Sequence, residues 1–146
     1  MKKLCLLFCF MCVSLYSFGQ IIVMGEFRSH KKIATVRASY SYVYQTESGY
    51  EFVSRTSNQF DNDFHFLLGE DKESAIQSAK DLIGLLENKD FENAIISNKN
   101  DKCVISKMSM LGANYLLLAD NKHAGSCNIT KKELDKIIQK LNSITE

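Results

Sequence analysis

The sequence predicts an α+β domain of antiparallel strand meanders, each closed by an amphipathic helix, in the order β-β-β(-β)-α-β-β-β-β-α. Three observations carry this. Two segments repeat their apolar residues at helical spacing, the stretches around them alternate or run apolar at strand length, and short polar or glycine-containing breaks separate those stretches.

The first helix is predicted from Asp71, a good N-cap, to about Asn88–Asp90. Ala75, Ile76, Ala79, Leu82, Ile83 and Leu86 form its apolar stripe, and Lys72, Glu73, Gln77, Lys80, Asp81 and Glu87 fill the other face. Gly84 inside it costs about 1 kcal/mol relative to alanine, so it marks either close approach to a sheet or simple tolerance. The second helix opens with Thr130-Lys131-Lys132-Glu133, a capping box, and continues with Leu134, Ile137, Ile138 and Leu141 on one side.

Strands are predicted around them. Ile33 to Gln45 reads as one long alternating strand, joined through Glu47-Ser48-Gly49 to a partner over Tyr50–Arg55, and a further strand covers Phe64–Leu68. After the first helix, Asn93–Ser97, Cys103–Met108, Asn114–Ala119 and Gly125–Ile129 are separated by natural turns.

Residues 1–19 have the three parts of an export signal. Lys2 and Lys3 are a positive start, Leu4 to Tyr16 an apolar segment, and Ser17-Phe18-Gly19 supplies small residues at the cut, predicted between Gly19 and Gln20. At helical rise that apolar segment covers only roughly 20 Å of a roughly 30 Å hydrocarbon core, so a mature form without a membrane anchor is expected. Cys5, Cys9 and Cys12 fill the apolar segment and lack the small preceding residues of a lipid-attachment cut. Residues 20–146 then form a single domain, periplasmic or secreted. Such a length buries enough surface to fold without metals or several disulfides.

Removing Lys2 and Lys3 leaves 16 of the 18 basic residues against 17 acidic ones, a net charge of −1. A protein devoted to holding nucleic acid would carry a basic excess, so nucleic acid is not the expected partner. Two cysteines remain, Cys103 and Cys127. In an oxidising compartment they are predicted to pair, closing a loop of about 25 residues, with two buried thiols as the alternative.

The order of elements resembles the duplicated strand-strand-strand-strand-helix plan of the whirly-type single-stranded-DNA-binding fold. The likeness covers most of residues 20–146, rests on element order, and brings no diagnostic motif whose residues transfer. It implies a scaffold, and a scaffold alone does not fix a function.

Two clusters carry chemistry. Tyr40, Tyr42 and Tyr44 share one face of the predicted strand with Val36 and Ala38, while Thr35, Arg37, Ser39, Ser41 and Gln45 make the other face polar apart from Val43. The tyrosine face is therefore predicted to enter the core. Turned outward, the same rings would form a platform for sugar rings, nucleobases or a partner protein, which makes them the ligand-binding candidates. Asp61, Asp63 and His65 alternate opposite Phe60, Phe64 and Phe66 and read as a solvated outer face; as metal ligands they lack a second cluster to complete the shell. His30 and His123 stand alone beside lysines.

Enzyme templates are missing from the sequence: there is no HExxH pair, nucleophile elbow or phosphate loop. Asn128-Ile129-Thr130 matches a glycosylation pattern, but Thr130 is already explained as a helix cap. The expected function is a small exported, non-catalytic binding domain without a cofactor, partnered by another protein or an envelope component and free to form a homodimer. A single-stranded nucleic-acid binder and a small metal-dependent enzyme around Asp61, Asp63 and His65 are the alternatives.

Overall fold

A computed structural model describes residues 30–38, 40–55, 63–98, 101–110, 112–120 and 125–145. Four strands, β1 (Lys31–Arg37), β2 (Ser41–Thr46), β3 (Gly49–Ser54) and β4 (Phe64–Gly69), lead into helix α1 (Lys72–Glu87). Four more, β5 (Asn93–Asn98), β6 (Asp101–Met110), β7 (Ala113–Asp120) and β8 (Ser126–Ile129), lead into helix α2 (Lys131–Asn142). Each group of strands is one antiparallel sheet in sequence order, β1-β2-β3-β4 and β5-β6-β7-β8. The predicted α+β class and the order of four strands and a helix, twice, are therefore present.

The predicted long strand over Ile33–Gln45 is two strands. The chain turns between β1 and β2, where the Tyr40 N–H donates to the Arg37 carbonyl at 3.1 Å, and β2 returns antiparallel beside β1. Two register shifts within that pair, plus the turn, change which residues face inward. Ala34 and Val36 are buried on β1, but on β2 the buried residues are Ser41 and Val43. Val43, the one apolar residue of the face predicted to be polar, is fully buried. The tyrosine face is thus not the core face, which corrects the expectation for Tyr42 and Tyr44. Ser41 tolerates burial because its hydroxyl pairs with that of Ser54 at 3.0 Å.

One apolar core joins both sheets and both helices. Val43, Phe52, Phe64 and Leu68 of the first sheet meet Ile105, Leu116, Leu118 and Ile129 of the second, with Ala75, Ala79, Leu82 and Leu86 from α1 and Leu134, Ile137 and Leu141 from α2. The helices pack on each other, and α2 reaches back across the chain to lie on β1. Arg37 of β1 fixes that docking. Its Nε and Nη2 donate to the two carboxylate oxygens of Glu133 at 2.7 and 3.1 Å, a bidentate fork. Oε2 of the same carboxylate accepts from the Thr130 backbone N–H at 2.9 Å, the reverse half of the predicted capping box. Burial opposes the charge on Glu133, but these donors outweigh it and hold the carboxyl below its ordinary value. Lys136 adds a bond to the Val36 carbonyl at 3.0 Å.

Gly49 closes the β2–β3 hairpin at φ 126°, and a Cβ there would lie 2.1 Å from the Gly69 carbonyl oxygen.

Cys103 and Cys127 are free, buried thiols, which corrects the predicted disulfide. Cys103 lies opposite Asp120 on β7 and Cys127 opposite Leu118 on the other side of β7. A full strand separates them, about 10 Å across the sheet, whereas a bridge needs Cα atoms within about 7 Å.

Candidate functional site

The outer face of the first sheet carries two cross-strand rows set by register. Thr35, Tyr42, Val53 and His65 form one; Lys32, Tyr44, Glu51 and Leu67 form the next. Tyr42 and Tyr44 stand two residues apart on one side of β2 because Val43 between them is in the core. Their ring centroids are 5.9 Å apart at a 50° tilt. His30 meets the Tyr44 ring edge-on with centroids 6.5 Å apart.

Cations flank these rings. The Lys32 ammonium sits 3.6 Å from the Tyr42 ring centroid, and the Arg55 guanidinium carbon lies 5.9 Å from the same ring. Each contact orients a long side chain against an aromatic face and keeps positive charge beside it. Both tyrosines are half-buried.

Tyr40 is elsewhere. Placed in the β1–β2 turn and 47% exposed, it lines a polar cleft of about 450 Å³ with Arg37, Arg55, Ser126 and Asn128, floored by Ser54 and Cys127. Its carbonyl accepts from the Arg55 N–H at 2.6 Å, which ties the turn to the end of β3. Arg55 belongs to both places, so the tyrosine face continues into the cleft. The three predicted tyrosines thus divide into a pair on the sheet and one at the mouth of the cleft.

His65 has a partner that the sequence did not reveal. Its Nδ1 lies 2.9 Å from Oε1 of Glu51 on the neighbouring strand. The hydrogen bond to Glu51 raises the imidazole pKa above its ordinary value, against the effect of partial burial and with help from the charges of Glu51, Asp63 and Asp120. Asp61 lies outside the described residues, and among the described residues no three His, Cys, Asp or Glu side chains converge as metal ligands.

A second cleft of about 400 Å³ lies between α1 and β5, with Ser74, Ser78, Asp81 and Ser97 above Phe66, Leu82 and Ile96. Its hydroxyls include no Ser–His pair of the kind that nucleophilic catalysis needs.

No protein-family model matches this chain, and no curated protein matches it either.

Proposed function

We propose that this chain is a small exported, non-catalytic binding domain that meets its ligand, another protein or an envelope component, on the outer face of the first sheet. The observation that carries the reading is the outward pair Tyr42 and Tyr44, with the Lys32 ammonium over one ring and Arg55 beside it. Half-buried, outward-facing tyrosines with neighbouring cations suit a ligand that offers a flat or ring-shaped group and negative charge. Among the described residues no helix is long and apolar enough to cross a membrane. Export is supported by the three-part signal over residues 1–19. Intact mass of the protein in the extracytoplasmic fraction tests it, with a chain beginning at Gln20 expected.

The binding surface is tested by capture from that fraction on immobilised wild type and on a Tyr42→Ala/Tyr44→Ala variant of matched fold. The wild type is expected to retain a ligand that the variant loses. Equal retention by both would remove this face from the reading.

Single-stranded nucleic acid on the same face is the second reading, favoured by the cations placed against the rings. Binding would then weaken steeply with salt as counterions are released. The net charge of −1 for residues 20–146 weighs against it.

A further inference from the structure

The outer face of the second sheet differs in kind from that of the first. Cys103, Ile105, Leu116 and Leu118 point inward and are buried, so their neighbours on β6 and β7 point out. Register aligns Ile95 with Val104 and Ala119, Ser106 with Leu117, and Met108 with Tyr115. Ile95 is 69%, Met108 42% and Met110 61% exposed; Tyr40 is the other large exposed hydrophobic among the described residues, so large exposed apolar side chains concentrate on this face. Among the described residues that alternate onto this face, Lys102 at the β5–β6 end is the only charged one, since Asp101, Lys107 and Asp120 fall on the other side of their strands. The first sheet's outer face, by contrast, carries Lys32, Glu51 and His65.

We infer that this face is the contact between two copies of the chain, stacked sheet on sheet about a two-fold axis. Two observations select a second copy over a different partner. In a two-fold contact each side chain near the axis meets its own kind, so a charged face would repel itself, whereas this one presents Ile95, Val104, Leu117 and Met108 to the same set. Faces that pair with themselves are also the more apolar class of interface, and a partner of different chemistry would call for a matching charge pattern that is absent here. The four strands hold 6, 10, 8 and 4 residues. At about 4.8 Å between strands they give a face of roughly 450 Å² in plan, to which side-chain relief adds, against the roughly 800 Å² per partner of a stable complex, so a modest, concentration-dependent contact is expected. Such a dimer leaves the tyrosine pair of each copy outside the contact, so it presents two pairs at once and adds avidity to whatever they bind.

Sedimentation velocity of the exported chain, purified from cells that make it, tests the contact. A concentration-dependent dimer is expected at micromolar protein. Ile95→Lys and Met108→Lys, each outside the core, should leave the circular dichroism spectrum unchanged and raise the dissociation constant at least about tenfold, as loss of an anchor at the centre of an interface does. A wild type that stays monomeric overturns the inference, whether the face is then covered by another segment of its own chain or by a different protein. A dimer indifferent to both substitutions overturns it too. Ile95 and Met108 lie on β5 and β6, away from Tyr42, Tyr44 and the cleft beside β8, so capture by a single copy is scored independently of the dimer.

Discussion

Val43 is fully buried between two half-buried tyrosines, and this alternation predicts how single substitutions behave. Tyr42→Ala removes a ring on the outer face together with its contact to Lys32, so it should cost no more than about 1 kcal/mol. Phe64→Ala, at a fully buried ring, should cost about 3–5 kcal/mol. Thermal melts of the two variants check the contrast, and a comparable loss in both would return the tyrosines to the core. His65 gives a pH signature. Its folded pKa is raised by Glu51, so the pair contributes its full stability below the unfolded value of about 6.5 and loses it as pH rises through the folded value. Titration of the His65 ring by NMR should show the raised pKa, and Glu51→Gln should bring it back towards about 6.5. At this scale the sequence was a partial guide. It singled out Tyr42, Tyr44 and His65, but Lys32, Arg55 and Glu51 reach them only through cross-strand register, which no local pattern encodes.

Both helices were legible because their period and caps agree. The Asp71 carboxylate accepts from the Ser74 N–H at 2.7 Å and caps α1, and Thr130 with Glu133 caps α2 as the spacing predicts. The β1–β2 turn was not legible. Its residues, Ala38-Ser39-Tyr40, include no glycine, proline or asparagine, and apolar residues continue at even positions straight through it. The inward set nevertheless changes from even to odd numbers there, which Val43 alone hinted at. Two glycines make opposite predictions. Nothing lies within 4 Å of a Cβ built on Gly84, so its presence in α1 is tolerance, and Gly84→Ala should stabilise by up to about 1 kcal/mol. Gly49→Ala should destabilise by at least about 1–3 kcal/mol, since φ 126° and the nearby Gly69 carbonyl both reject a side chain. Chemical denaturation of the pair measures both signs.

Over the whole molecule, β1 and α2 are joined by Arg37–Glu133 and Lys136–Val36, so the two halves share one core and the ends of the chain's described part hold each other. The same packing explains why reasoning from compartment failed for the cysteines. Pairing two mature cysteines is sound where oxidation is available, but β7 runs between them, and a sequence does not say which strands are neighbours. Burial pushes the Cys103 thiol up to about 12 and raises Cys127 as well. Both should therefore stay reduced and unreactive in the folded state. A thiol reagent is expected to find no reactive group in native protein and two after denaturation without reductant; two that react at once in native protein would show that the core around β7 is open.

The proposed function requires the ligand to sit on the outer face of the first sheet. Photo-crosslinking in the producing cells, with a benzophenone side chain at position 42 and a control at exposed Glu87 on α1, tests that most directly. Position 42 is predicted to give a specific adduct that position 87 does not. Adducts from position 87 with none from position 42, in protein of unchanged melting temperature, would contradict it.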